Sequence, residues 1–191
     1  MEKIIYNTTA EEALKRLIEG NKKYLKNRGS KIQAEESIIA RSAIEGQRPY
    51  AIVITCSDSR VIPEAIFSAG IGDIFVIRVA GNVIDAHQLG SIEYAEEHLG
   101  TGLVLVLGHT GCGAVDAVLS GHSGTYIKYI ADSIKQAVGT EKDPYKACEL
   151  NVKNSCKIIE ESLIIRKDEK EYGLKVMGAI YDITTGKVNF L

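Results

Sequence analysis

Tyr50-Ala51-Ile52-Val53-Ile54-Thr55-Cys56-Ser57-Asp58-Ser59-Arg60 decides the fold. Its first half is a near-continuous apolar run, as expected of a strand buried on both faces of a parallel sheet, whereas a strand with one wet face would alternate. Its second half sets a thiol, a carboxylate and a guanidinium directly beyond that strand. Residues 73–79 and 103–107 repeat the apolar pattern, and helical stretches at about residues 62–68 and 88–98 lie between the runs. The order is therefore β-α-β-α-β, for which a doubly wound sheet is the economical topology.

Outward from this unit, Thr9 and Glu12 form a capping box. Leu14, Leu17, Ile18, Tyr24 and Leu25 follow at helical spacing, predicting an amphipathic helix over residues 9–26. A second helix is expected over about residues 31–45, ended by Gly46 and Pro49. Beyond Cys112 come helices to about residue 119, over 126–138 and over about 144–164. In the last of these Cys148, Val152, Cys156, Ile159 and Leu163 share one face, which makes both cysteines packing residues. Residues 167–171 read as a charged turn, 174–183 as a strand, and Thr184-Thr185-Gly186-Lys187 as the turn into a short terminal edge strand. The expectation is an α/β fold with a mostly parallel central sheet of four strands, an antiparallel C-terminal edge strand and flanking helices. We expect one domain over residues 1–191, with a helical arm over 1–46 and an α/β core over 47–191.

Composition narrows the function. With 45% hydrophobic and 25% charged residues and a net charge of -2, the chain offers no electrostatic footprint for nucleic acid. No apolar run reaches the roughly 20 residues a membrane span needs, and Met1-Glu2-Lys3-Ile4-Ile5-Tyr6 lacks a signal-peptide core. A cytoplasmic location is expected, where four cysteines are read as thiols or metal ligands rather than a disulfide scaffold. The glycines at 70, 72, 108, 111 and 113 do not match G-x-G-x-x-G, so no dinucleotide site is expected.

The chemistry gathers where strands end. In open α/β sheets ligands sit beyond the carboxyl ends of the strands, and both Cys56 and the stretch Gly108-His109-Thr110-Gly111-Cys112-Gly113 lie there. His109 and Cys112 are three apart at the mouth of a helix and can grip one ion. Two thiolates and an imidazole suit one Zn2+ per chain, and three protein ligands leave a fourth position open, the mark of a catalytic site. Taken alone, each cysteine reads as a small buried hydrophobe and the histidine as structural. Their common placement, with Asp58 two residues past Cys56, favours the metal. Because two thiolates cancel the charge of the ion, something must help its water ionise. Asp58 either accepts a hydrogen bond from that water or occupies the open position itself, and Arg60 can hold it away in a bidentate pair.

Cys-x-Asp-x-Arg at 56–60, Arg78-Val79-Ala80-Gly81-Asn82, Ile92-Glu93-Tyr94-Ala95 and Gly-His-x-x-Cys-Gly at 108–113 together resemble the β-class carbonic anhydrases. The resemblance implies zinc on Cys56, His109 and Cys112, catalytic roles for Asp58 and Arg60, and reversible hydration of carbon dioxide by attack of zinc-bound hydroxide. It also implies a substrate pocket formed by Gln47, Phe75, Ala80, Tyr94 and Gly113, although from the residues alone Phe75 and Tyr94 read as core. A homodimer or dimer of dimers is implied, its N-terminal helices packed on a partner subunit and giving the Leu14 stripe a surface. Val53 stands where members with a bicarbonate effector pocket have Trp, so no effector site is expected although Arg78 and Tyr181 resemble its other members. His87, His98 and His122 are proton-shuttle candidates by residue type alone. Two alternatives remain: a carbon disulfide or carbonyl sulfide hydrolase on the same scaffold, and a non-catalytic zinc or redox-sensing domain in which Asp58 closes the metal shell.

Overall fold

The computed structural model describes residues 5–27, 36–122, 124–125 and 127–191. The sheet comprises β1 (Ala51–Thr55), β2 (Ile74–Arg78), β3 (Leu103–His109), β4 (Lys175–Tyr181) and β5 (Val188–Phe190), in the order β2-β1-β3-β4-β5. Its first four members are parallel, and β5 runs antiparallel to β4 at the edge. Every residue of β1 and β3 is buried, which is the physical cause of their unbroken apolar runs.

Alternate residues of these strands feed two cores. Ile52, Ile54, Val104 and Val106 face one side, beneath α4 (Ala86–Leu99), α5 (Gly113–Leu119), α6 (Ile127–Val138) and α7 (Pro144–Glu160). Ala51, Val53, Leu103, Leu105 and Leu107 face the other, beneath α1 (Ala10–Lys26) and α3 (Pro63–Ile66). The capping box on α1 forms as expected, with Thr9 accepting from the Glu12 amide and Glu12 accepting from the Thr9 amide. A Cβ at Gly20 would lie 1.8 Å from the Phe67 carbonyl oxygen, so only glycine lets α1 approach the end of α3 this closely.

Several expectations need correction. Part of the stripe on α1 is covered within the chain, where Ala13 and Leu17 are buried against this chain's own sheet with Leu14 half-buried beside them. The long C-terminal helix ends at Glu160, because Ser162 caps a new helix, α8 (Leu163–Glu171). Ser162 Oγ accepts from the Ile165 amide and donates to Glu93 Oε1 at 2.7 Å, a tertiary bond that sets the break. Leu163 is consequently exposed rather than on the core face, and residues 167–171 belong to α8 rather than to a turn. Cys148 is buried and Cys156 half-buried against the same core, as packing residues. The second helix is α2 (Glu36–Glu45), with Ile39 and Ile44 exposed; Lys31 and Ile32, like Tyr126 before α6, lie outside the described residues. No helix among the described residues is long and apolar enough to cross a membrane.

Candidate metal centre

β1 and β3 are adjacent and in register, Thr55 against Leu107, so the residues just beyond their carboxyl ends converge. Cys56 follows β1 directly, His109 closes β3, and Cys112 sits at the N-cap of α5 after a turn through Gly111 at φ +62°. All three are buried, and one ligand atom from each lies within 4.8 Å of the others. The two Sγ atoms are 4.0 Å apart, close to the ~3.8 Å expected of two thiolates on one tetrahedral zinc with bonds of about 2.3 Å. His109 Nδ1 lies 3.0 Å from the Thr110 carbonyl oxygen and donates to it, which leaves Nε2 as the acceptor. That Nε2 is buried and has no hydrogen-bond partner among the described residues. A buried lone pair beside two thiols is the arrangement a soft cation satisfies, so the donor set fits zinc.

The Cys112 thiol first of all, and the Gly81 amide, bring the Cys56 thiol well below its ordinary value against the opposing effect of burial. Cys112, giving its proton toward Cys56 and buried as well, is pushed far up. Burial opposes a charge on His109, yet the nearby Cys56 sulfur and the Thr110 carbonyl raise it above its ordinary value.

Asp58 and Arg60 form the expected pair. Arg60 Nε donates to Asp58 Oδ1 at 2.9 Å and Nη2 to Oδ2 at 2.6 Å, a bidentate grip tightened by the Arg60 amide at 2.9 Å. Nη2 also donates to the Gly111 carbonyl at 3.1 Å, tying the pair to the turn between His109 and Cys112. The Arg60 guanidinium holds the Asp58 carboxyl well below the usual carboxylate range. Asp58 Oδ2 stands 4.0 Å from His109 Nε2, beside the three-atom group and not part of it.

Other site candidates scatter. Ala80 opens a short 3-10 turn (Ala80–Asn82) and Gly113 opens α5, both next to the thiols. Gln47 lies at the amino end of the sheet, separated from Cys56 by the whole of β1 at roughly 3.3 Å per residue. It lines an exposed groove of about 240 Å3 with Ser42, Arg48 and Asp73. Phe75, paired with Ile52, is half-buried against the core and meets the Tyr94 ring in a tilted contact at 6.3 Å between centroids. Tyr94 is 47% exposed and tilted in turn against His98, so the reading as core does not hold for Tyr94 in one chain. His87 is at the surface beside Asp85, and His122 borders a small apolar cavity with Ala114, Ile127 and Ile130. Of the effector-pocket positions, Val53 is buried in the sheet and Tyr181 meets Tyr24, hydroxyl to hydroxyl, at 3.1 Å.

Sequence reasoning missed the scaffold behind the ligands. Arg78 at the end of β2 donates to the carbonyls of Cys56 at 3.2 Å and Asp58 at 2.7 Å, clamping the loop that carries both. The Gly81 amide donates to Cys56 Sγ at 3.2 Å. Asn151 and Ser155 of α7 are buried and bond the carbonyls of Gly81 and Asn82. The available signal was two polar residues four apart on an otherwise apolar helix face.

Residues 51–188 match the family model described as carbonic anhydrase. The chain is 41% identical over 138 residues to carbonic anhydrase 2 of Mycobacterium tuberculosis, a match covering 69% of this chain and 66% of that protein. It is 45% identical over 115 residues to the carbonic anhydrase of Mycolicibacterium smegmatis, covering 60% of this chain and 55% of that one. These matches therefore span about two thirds or less of the relatives' own length. Among solved structures it resembles one of two tetrameric β-carbonic anhydrases from the filamentous ascomycete Sordaria macrospora, with a TM-score of 0.73 and 29% identity over 82% of this chain and 87% of that chain.

Proposed function

The chain belongs to the β-class carbonic anhydrases, and from that membership we propose that it catalyses the reversible hydration of carbon dioxide to bicarbonate and a proton. Cys56 Sγ, His109 Nε2 and Cys112 Sγ would hold one zinc ion. When bound, zinc supplies a Lewis acid that makes a water acidic near neutral pH. The observation that carries the proposal is the Asp58–Arg60 pair, which leaves three ligands beside an ionised carboxylate that ligates nothing.

Asp58, charged and able only to accept, takes the hydrogen bond of the attacking oxygen and so aims a lone pair at the substrate carbon. Arg60 keeps that carboxylate charged and turned aside; released, Asp58 is the group placed to close the site as a fourth ligand. Carbon dioxide gains the oxygen, bicarbonate leaves, and the proton passes to buffer. Ala80 and Gly113, small residues next in sequence to Gly81 and Cys112, are assigned to the substrate side of the site.

Gln47, Phe75 and Tyr94 complete the substrate wall from a second copy of the chain. Support comes from the separation of Gln47 and Phe75 from Cys56 along the sheet and from the exposed Tyr94 ring. The tetrameric relative from Sordaria macrospora fits a homodimer or dimer of dimers. Two unbridged thiols in the ligand set fit work in the cytoplasm, where thiols stay reduced.

Stopped-flow hydration at alkaline pH tests the activity. Zinc-replete protein is expected to turn over carbon dioxide, and normal zinc content without turnover overturns the proposal. Carbon disulfide and carbonyl sulfide run alongside decide between substrates, since faster turnover of either would make this a sulfur-compound hydrolase.

A further inference from the structure

Asn151 and Ser155 are polar side chains on a face of α7 that is otherwise core. Both are buried, at 2% and 1% exposure. Asn151 Nδ2 donates to the Gly81 carbonyl at 2.7 Å, and Ser155 Oγ, one turn later, donates to the Asn82 carbonyl at 2.9 Å. Both acceptors belong to a turn in which two successive residues lie in the left-handed region, Gly81 at φ +70° and Asn82 at φ +46°. Glycine takes that conformation without cost, and asparagine more readily than other side-chain-bearing residues. Gly81 is further confined, since a Cβ there would meet Ile134 Cδ1 at 2.7 Å. The turn thus held presents the Gly81 amide to Cys56 Sγ at 3.2 Å.

We propose that Asn151 is a positioning residue for the metal centre: by holding the Gly81 carbonyl it aims the Gly81 amide at the Cys56 sulfur and so limits how much charge that thiolate donates to the metal. The inference rests on the metal-binding reading of Cys56, His109 and Cys112. An N–H aimed at a thiolate withdraws electron density from it and leaves a bound cation more electrophilic, as partners behind a ligand commonly do. Ser155 secures the second carbonyl, and its loss leaves the first bond in place. Burying an asparagine on a core face is costly unless its donors are used, and the 2.7 Å bond to Gly81 uses one of them.

Two measurements test this, on the cadmium-113 and cobalt(II) forms of the full chain. In the cadmium form of the unsubstituted protein, the Gly81 amide proton is expected to show scalar coupling to the metal through the Cys56 sulfur. In the cobalt form of Asn151→Leu, which keeps side-chain volume and loses the donor, the thiolate-to-cobalt charge-transfer band is expected to move to lower energy. Turnover of the zinc form should fall about 10-fold or more, within the range usual for residues behind metal ligands. Ser155→Ala should move the band in the same direction and less. Ile159→Val, a buried change two turns further along α7, should leave the band in place, which separates positioning from general loosening of the helix. A Gly81 proton uncoupled from bound cadmium overturns the proposal even if Asn151→Leu does not fold, and so does an unmoved band in a folded, cobalt-loaded variant. Failure of the unsubstituted protein to take up one equivalent of cobalt or cadmium would instead overturn the metal-binding reading on which the proposal stands.

Discussion

The Cys56–His109–Cys112 centre and the cluster of Tyr6, Glu96 and Asp168 both bury polar atoms that have no hydrogen-bond partner among the described residues. His109 Nε2 is that atom in the first, Glu96 Oε2 and Asp168 Oδ1 those in the second. Their chemistry sends them opposite ways. In the first, soft donors surround a point that a cation satisfies, and the Gly81 amide and Arg78 hold that arrangement from outside. In the second, two hard carboxyls lie together, with the Tyr6 hydroxyl donating to Glu96 at 2.9 Å and Lys167 Nζ 3.6 Å from Asp168. Burial first of all, and then the neighbouring Asp168, push Glu96 up to about 7 against the hydrogen bond from Tyr6. A proton answers the buried charge in the second cluster, whereas the thiol and imidazole donors of the first suit a soft cation.

Removing a ligand breaks that comparison most severely. Cys112→Ser leaves a hard hydroxyl where a thiolate belongs, so zinc retention should weaken by more than about 100-fold, beyond the loss usual for changes behind the ligands, and turnover should fall to background. Metal content by mass spectrometry and stopped-flow rates check it. Next in size is Arg60→Ala, which frees Asp58 from its latch. Turnover is expected to fall roughly 10- to 100-fold, and X-ray absorption at neutral pH should report an added oxygen ligand as Asp58 closes the site. An unchanged coordination shell would show that the guanidinium does not govern Asp58.

Smallest, and confined to the second cluster, is the effect of Glu96→Gln. The Glu96 carboxyl titrates higher in the fold than in the unfolded chain, so its stabilising contribution is fully present below about pH 4.5 and lost as pH rises through about 7. Wild-type stability should fall over that window by at most on the order of 3 kcal/mol, at roughly 1.4 kcal/mol per pH unit. Glutamine, which cannot ionise, should flatten the profile without changing turnover. Denaturant midpoints at pH 5 and pH 8 read the difference, and a slope surviving in the variant would assign the pH dependence elsewhere.

The strands were legible because β1 and β3 are buried on both faces, which leaves polar residues only at their carboxyl ends, Thr55 and His109. Capping at Thr9 was equally plain, since a capping box is local chemistry. The break between α7 and α8 was not, because Ser162 caps α8 while its hydroxyl reaches Glu93, 69 residues away in sequence. Helical periodicity ran on through that break and carried Leu163 to the wrong side. Asn151 and Ser155 escaped notice for a related reason: their partners, Gly81 and Asn82, lie 70 and 73 residues away.

By itself the sequence determined the sheet, the capped N-terminal helix and the candidate metal donors. Those depend on residue type and on spacings of a few positions, which local sterics and burial translate into structure directly. Only the tertiary structure decided that Asp58 rests in the grip of Arg60, that the Gly81 amide faces the Cys56 sulfur, and that Gln47 stands at the other end of β1 from the thiols. Hydrogen-bond direction and the end of the sheet a residue occupies follow from how the strands stack, and no spacing along the chain encodes them.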